Sequence, residues 1–312
     1  MHSAPSARRK RFSSLRKRVW ATRELYIALV PALVFYAIFK YWPIYGMQIA
    51  FRNYSPWLGM ARSPWVGMRN FNRFFASADC MRIIGNTIRI SLLQLAIGMP
   101  FSILLALMLN MLRSQRLKKV VQTVTYAPHF ISTVVLVGIV LTVLSPYSGV
   151  VNIVIKRLGG SPIYFMAKSR YFLPIYIISG IWQETGWGAV IYMAALASVN
   201  PELHEAAIVD GASRLRRVWH IDLPCILPTI VTMLILRSGQ VMTVGHEKIL
   251  LLQNAINSDV SEVISTYTYK KGLINGDFGY STAAGLFQSV VNYLLLLVVN
   301  RFGRLVNDVS LW

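Results

Sequence analysis

Six long runs of apolar residues most constrain what this chain can fold into. They lie at Leu25–Tyr45, Asn86–Leu112, Val120–Leu144, Tyr171–Ala197, Pro224–Val244 and Thr282–Asn300. A run of about 20 apolar residues is long enough to cross the hydrocarbon core of a bilayer as a helix. Only 14% of the 312 residues are charged, whereas a soluble domain carries about 25%. The sequence therefore predicts an all-α, multi-pass membrane protein with six transmembrane helices.

The N-terminal segment, residues 1–24, is polar and basic. It carries eight Lys and Arg residues between Arg8 and Arg23, and the apolar run that follows has no small-residue cleavage site. A basic segment before a long, uncleaved apolar run is typical of a signal anchor with its N-terminus in the cytoplasm. We therefore divide the chain into a basic cytoplasmic tail, residues 1–24, and a transmembrane domain, residues 25–312.

The positions of Lys and Arg predict the orientation of the six spans. If both termini lie in the cytoplasm, the inner segments carry 17 Lys and Arg residues, and three longer outer loops carry 12. The inner segments then have the higher density of positive charge close to the span ends, as the positive-inside rule requires. The sequence therefore predicts that both termini are cytoplasmic. The outer loops hold only five acidic residues, so their net charge is +7.

Several functional classes are excluded by composition and motifs. A net charge of +20 at pH 7 is often seen in nucleic-acid-binding proteins, but here the basic residues follow the predicted topology. We therefore expect a lipid bilayer as partner and no nucleic acid. The two cysteines are too few for a disulfide framework, and the five histidines lack zinc-site spacing. With no phosphate-binding loop or nucleophile motif, we predict no catalytic residue, no metal site and no cofactor bound by this chain.

One charged segment, Glu205–Pro224, interrupts the apolar sequence between the fourth and fifth runs. The residues before Asp210 are good helix formers, Gly211 tolerates backbone angles that other residues avoid, and helix-forming residues follow. These features predict a helix–turn–helix at the membrane surface. The small side chains of Ala206 and Ala207 would let another protein approach closely. The alternative is an ordinary connector that only joins two spans.

The same segment resembles the EAA loop of bacterial type I ABC-importer permeases. Its spacing is Glu-Ala-Ala, three residues, Gly, nine residues and Ile-x-Leu-Pro. The resemblance assigns ATPase coupling to Glu205, Ala206, Ala207, Asp210, Gly211, Ile221, Leu223 and Pro224. Gly245-x-Glu247, Tyr267-x-Tyr269 and the terminal Ser310-Leu311-Trp312 are similar to the LplB-type branch, which imports oligo- and polysaccharides, including alginate. His246 departs from that pattern, in which we expect Phe, so the role of this position is left open.

The resemblance implies a set of partners and a location. A second related permease would complete a heterodimer in the cytoplasmic (inner) membrane of a bacterium. Two cytoplasmic ATPase subunits would dock on the EAA loops and would bind ATP and Mg²⁺ themselves. An external solute-binding protein would deliver the carbohydrate. The chain itself would then be a transport subunit and not an enzyme.

Charged side chains inside the apolar runs predict where solute is contacted. Charged groups in a span are costly and usually face a cavity or a partner group. Arg237, Gln240 and Glu247 would share one helical face if the fifth helix persists, and Glu184 lies at a comparable depth on the fourth span. Trp182, Gln183, Trp187 and Tyr192 supply aromatic and hydrogen-bonding groups suited to sugars. An ion pair between Glu184 and Arg237, and packing of the aromatic rings, are the structural alternatives.

These features together predict the permease subunit of an ATP-driven carbohydrate importer. The positive outer loops and Arg237 favour an acidic oligo- or polysaccharide, such as alginate, because Arg holds a carboxylate through two parallel hydrogen bonds. A neutral oligosaccharide is the first alternative. The second is an ion-coupled secondary transporter that uses Glu184 and Arg237, although such carriers usually show inverted repeats and the chain has no internal repeat.

Overall fold

The computed structural model describes residue 20, residues 22–243 and residues 245–307, with backbone only at residues 305–307. Most of the predicted tail, Val244 and the C-terminal Ser310-Leu311-Trp312 lie outside the described residues. Within them the secondary structure is helical, apart from one isolated antiparallel bridge between Arg52 and Trp65. The prediction of an all-α protein is therefore confirmed for this part of the chain.

The apolar runs correspond to helices whose ends differ from the predicted boundaries. The principal helices are α1 Arg23–Phe51, α2 Arg69–Phe75, α3 Cys80–Met111, α4 Gln115–Phe130, α5 Thr133–Val143, α6 Val150–Arg157, α7 Phe172–Ala197, α8 Pro201–Val209, α9 Arg214–Ser238, α10 His246–Leu252, α11 Ile264–Tyr269 and α12 Phe278–Asn307. Shorter helical turns lie at Gly59–Arg62, Phe165–Ala167, Ser169–Tyr171, Ser258–Ser261 and Lys270–Ile274.

Helices α1, α3, α9 and α12 are long and apolar enough to cross a membrane. The third predicted run is not one straight helix, because α4 and α5 meet at an angle of 103°, as in a broken span or a re-entrant loop. Pro128 lies in the last turn of α4, and proline lacks the N–H that continues a helix. Ser132 then starts α5 by accepting a hydrogen bond from the Val135 amide. Helix α7, with 26 residues, covers the fourth run.

The fifth predicted span differs from the prediction at both ends. Helix α9 begins at Arg214, ten residues before Pro224, and ends at Ser238. Pro224 therefore lies inside a continuous helix and not at its start. A π-helical turn at Val218–Asp222 directly precedes it, and such wider turns re-satisfy backbone groups that a proline frees. The prediction that this helix continues past Ser238 is wrong, because residues 239–242 form turns.

Close packing of α7 against α3 and α9 forms the centre of the molecule. Its glycines make this possible, since a Cβ on Gly180 would meet the Gln94 side chain and one on Gly188 would meet Ser102 Oγ. Met99, Tyr192 and Ile226 are buried in one apolar cluster between these three helices. The packing therefore places one face of each helix at a common centre.

Helix α1 is packed only at its C-terminal end. Every residue of the stretch 22–45 is exposed, whereas Ala50 is fully buried against α2 and α12. An apolar helix of this length with no protein contact on either side is covered by lipid or by another subunit in a membrane protein.

Candidate functional site

A cavity of about 640 Å³ opens between α3, α7 and α9. Leu95, Met233 and Leu236 contribute apolar surface to it. The polar side chains on its wall are Ser91, Gln94, Glu184, Arg237, Gln240 and Thr243. An apolar cleft with a few convergent polar groups is the usual form of a small-solute site. The cavity brings together three of the residues predicted to touch solute, which are Glu184, Arg237 and Gln240.

Arg237 is half-buried in the last turn of α9. Among the residues that the structure describes, its guanidinium makes no ion pair and no side-chain hydrogen bond. The group extends toward α7, where a Cβ on Gly188 would lie 3.5 Å from a guanidinium nitrogen. Buried charged groups in proteins are normally paired. The positive charge of Arg237 is thus available to an anion in the cavity.

Uncharged polar atoms around the same cavity also lack partners within the described chain. On the cavity wall these atoms are Ser91 Oγ and Gln94 Oε1; the hydroxyl oxygen of Tyr192, in the apolar cluster between α3, α7 and α9, is also buried without a partner. Tyr192 is fully buried and close enough to Arg237 to interact with it electrostatically. Since buried polar groups are normally hydrogen-bonded, such a concentration favours a solute with hydroxyl groups.

Glu184 does not pair with Arg237. Its carboxylate Oε2 lies 3.1 Å from Nδ1 of His129, a residue in the last turn of α4. The His129 ring stacks on Trp187, with ring centroids 4.7 Å apart and planes 3° from parallel. The structural alternative of a Glu184–Arg237 ion pair is therefore not found. Glu184 instead links α7 to the break between α4 and α5.

A second cavity, of about 340 Å³, adjoins the first and shares Gln94, Tyr176, Glu184 and Gly245 with it. Gln183 and Glu247 lie on its wall. Gln183 Nε2 donates to the carbonyl oxygen of Ile131 at 3.3 Å, whereas Glu247 is exposed. Because α9 ends at Ser238, the predicted helical face joining Arg237, Gln240 and Glu247 does not exist. Gln240 still reaches the first cavity, and Glu247 reaches the second.

Lys248 is a buried cation in the wall of the second cavity and is only 8% exposed. Its ammonium donates to the carbonyl oxygen of Tyr176 at 3.1 Å and lies 4.8 Å from the centre of that ring. Burial lowers the pKa of Lys248 to about 8, and the nearby Glu184 carboxylate partly opposes this shift. Lys248 lies in α10, outside the helices long enough to span a membrane.

All three predicted aromatic residues lie off the walls of the two polar cavities, with Tyr192 in the apolar cluster between α3, α7 and α9. Trp182 lines an apolar cleft with Ile139 and Val143 of α5. Trp187 is stacked on His129 as described above. Sequence reasoning missed Ser91, Gln94, His129, Tyr176 and Lys248. Gln94, an uncharged polar residue in the middle of an apolar run, was the available signal.

The charged segment between α7 and α9 forms the predicted helix–turn–helix. The side chain of Asn200 caps α8 by accepting from the Glu202 amide. Gly211 follows α8 with a φ of +74°, a left-handed conformation that glycine adopts without steric cost. Glu205 and Ala206 are exposed and Ala207 is partly exposed. A short helix with small side chains is thus free to contact another protein.

The predicted coupling residues of α9 differ in their burial. Leu223 packs against the apolar cluster of α3, α7 and α9. Ile221 is partly buried, and Pro224 is exposed. A cavity of about 570 Å³ lies behind α8, between it, the end of α3 and the first turns of α9. Among the described residues, no group of His, Cys, Asp and Glu is placed to hold a metal ion.

Comparison with known proteins identifies the family. Residues 98–308 match the family described as binding-protein-dependent transport system inner membrane component. Protein LplB of Bacillus subtilis (strain 168) is 41% identical over 292 residues, which cover 94% of this chain and 91% of that protein. The polygalacturonan/rhamnogalacturonan transport system permease protein YteP of the same organism is 43% identical over 282 residues. These residues cover 90% of this chain and 88% of that protein.

Two solved structures are also similar. A chain in the crystal structure of a bacterial ABC transporter involved in the import of the acidic polysaccharide alginate is 41% identical. It superposes with a TM-score of 0.88 and covers 94% of this chain and 99% of that chain. A chain of a bacterial alginate ABC transporter, in complex with an alginate pentasaccharide-bound periplasmic protein, is 40% identical. It superposes with a TM-score of 0.87 and covers 95% of this chain and 99% of that chain.

These matches extend over nearly the whole chain and confirm the resemblance to LplB-type permeases. They also confirm a transport subunit of the bacterial inner membrane, as opposed to an enzyme. The chain therefore belongs to the binding-protein-dependent transport system inner membrane components, the permease subunits of ABC importers.

Proposed function

We propose that this chain is one of two permease subunits of an ATP-driven importer for an acidic oligo- or polysaccharide. The observation that carries the proposal is the cavity between α3, α7 and α9, in which the guanidinium of Arg237 has no acidic partner among the described residues. A uronate carboxylate can accept two parallel hydrogen bonds from such a group. The relatives named for polygalacturonan and alginate transport agree with this class of solute.

The charges of the predicted outer loops support an anionic solute. Asp277 pairs with Arg73, Asp79 and Asp259 with Arg82, and Glu262 with Lys270. Four of the five acidic residues in these loops thus have a basic partner, with Arg82 shared between two of them, and Glu247 is the fifth. Nine Lys and Arg residues of the same loops have no ion pair with a described acidic residue. A polyanion approaching this surface gains electrostatic steering that a neutral sugar does not.

The proposed topology has six spans with both termini in the cytoplasm. The spans are α1, α3, the broken pair α4 and α5, α7, α9 and α12. Helix α8 then faces the cytoplasm as the coupling helix. An introduced thiol near Arg62 should react with an impermeant reagent added from outside, and one near Arg214 should not. Labelling of the second site alone would contradict this orientation.

The partner subunits follow from surfaces that this chain leaves open. The exposed stretch 22–45 of α1 fits a second, related permease, with which the central cavity would form one pathway. Exposed Glu205 and Ala206 on α8 fit a groove on an ATPase subunit, and two such ATPases would bind ATP and Mg²⁺. An external solute-binding protein would deliver the sugar, as in the alginate transporter complex.

The direct test is uptake by the reconstituted complex of both permeases, the ATPase and the binding protein. We expect ATP-dependent uptake of oligouronates and at least tenfold slower uptake of neutral oligosaccharides of matched length, since a charge-assisted contact contributes about 1.5–3 kcal/mol. Preference for the neutral chain would replace the acidic solute with the neutral alternative. Uptake driven by an ion gradient without ATP would favour the secondary transporter.

A further inference from the structure

The side chain of Asp222 is a buried carboxylate at the meeting point of three helices. It lies at the end of the π-helical turn in α9, and the residue is only 3% exposed. Its Oδ1 is 3.2 Å from Nε2 of His204 in α8 and 3.4 Å from Nδ2 of Asn110 at the end of α3. One acceptor atom thus joins the predicted coupling helix to two other helices.

The charged surroundings of Asp222 have mixed sign. Arg217, on the same helix, interacts favourably with the carboxylate, and its Nε atom is buried without a hydrogen-bond partner. Arg113, Glu205 and Arg214 line the cavity of about 570 Å³ beside Asp222. A buried charge left without its partners is strongly unfavourable. His204, Arg217 and Asn110 therefore all favour the charged form of Asp222, which burial disfavours.

Helix α8 has few other connections to the body of the protein. None of its residues is buried, and its chain continues into α9 through the turn at Gly211. His204 is the residue of α8 whose side chain forms an ion pair among the described residues. A displacement of α8 can therefore reach the rest of the protein through its covalent links to α7 and α9, or through the contact of His204 with Asp222.

We propose that His204 and Asn110 are positioning residues for energy coupling, and that they act through Asp222. The three-way contact holds α8 to the first turns of α9 and the last turn of α3. A movement imposed on α8 is then passed to both helices at once. Since α9 carries Arg237 and α3 carries Gln94, the two walls of the solute cavity move together. This inference rests on the proposed docking of an ATPase on α8.

The test measures the amount of solute transported per ATP hydrolysed in the reconstituted complex. His204→Ala should lower this ratio about tenfold, the loss expected for a hydrogen bond to a charged group. His204→Gln should retain most of it, because the Gln amide nitrogen reaches a position similar to Nε2. A merely structural defect lowers the amount of active complex and leaves the ratio unchanged.

His220→Ala is the matched control, since the imidazole of His220 contacts only the carbonyl oxygen of Arg216 among the described residues and is exposed. Asp222→Asn combined with His204→Ala should lower the ratio no further than the more severe single variant does. Both substitutions act on the same contact, between His204 and Asp222. If Asp222→Asn fails to assemble, the single variant Asn110→Ala, at an exposed residue, replaces it and should itself lower the ratio, because it removes the second contact of Asp222.

The proposal is overturned if His204→Ala or Asn110→Ala keeps the ratio of the His220→Ala control, or if the effects of His204→Ala and Asp222→Asn multiply. Failure of the proposed function gives a different result. In that case the native complex itself shows no ATP-dependent uptake of acidic or neutral oligosaccharides, before any variant is compared.

Discussion

Replacing Arg237 with Gln removes the one cation that the structure places on the first cavity wall. Gln keeps part of the length and the hydrogen-bonding capacity of the side chain but loses the charge. The guanidinium has no acidic partner among the described residues, so the substitution leaves no protein carboxylate unpaired. Its effect on binding can thus be separated from its effect on folding.

The expected free-energy change depends on whether Arg237 binds solute or forms a structural ion pair. A hydrogen bond to a charged group contributes about 1.5–3 kcal/mol, and each ~1.4 kcal/mol is a factor of ten in affinity. We therefore expect oligouronates to bind Arg237→Gln roughly 10- to 150-fold more weakly. The free energy of unfolding should change by less than about 1 kcal/mol. Loss of one partner of a buried ion pair would instead lower it by about 3–5 kcal/mol.

The assay is equilibrium binding of a fluorescent oligouronate to the detergent-solubilised complex without the solute-binding protein, so that only the permease site is measured. A neutral oligosaccharide of the same length should bind native and Arg237→Gln complexes equally. Arg89→Gln is the matched control, because Arg89 is an exposed arginine of α3 that is absent from the cavity walls. Equal loss of uronate binding in both variants, or unchanged uronate selectivity in Arg237→Gln, would refute the reasoning.

Three further predictions concern glycine and lysine positions. Gly211→Val forces a branched side chain to a φ of +74°, which costs about 1–2 kcal/mol of stability, and it should lower solute-stimulated ATP hydrolysis. Normal stimulation in this variant would contradict a role of the turn in ATPase coupling. Gly186→Val would drive a side chain into the carbonyl oxygen of Thr125, so we expect α7 and α4 to separate and the purified complex to aggregate in size-exclusion chromatography. Because the pKa of Lys248 falls from 10.5 to about 8 in the folded state, its contribution to stability is complete above about pH 10.5 and is lost as pH falls from there through the folded pKa of about 8. Thermal stability of the native complex should therefore rise between pH 8 and 10 by about 1.4 kcal/mol per pH unit relative to Lys248→Met, and parallel pH curves would contradict the burial argument.

The sequence alone determined the class of fold and the family. Apolar runs predict helices because a backbone in hydrocarbon must satisfy its own hydrogen bonds, and each of the six runs does contain a helix. The helix–turn–helix at residues 201–217 was also predictable, since its signals are local. Asn200 caps the first helix, Gly211 adopts the left-handed turn and Ser213 caps the second.

Only the tertiary structure decided which polar groups meet. Arg237 and Gln94 are far apart in sequence, and the rotation of α3, α7 and α9 about their axes brings them to one cavity. That rotation is set by close contacts at Gly180 and Gly188, which composition does not reveal. The partner of Glu184 proved to be His129 because the 103° break turns α4 toward α7. Local sequence signals determine where a helix begins and ends, whereas the facing residues depend on packing between segments distant in the chain.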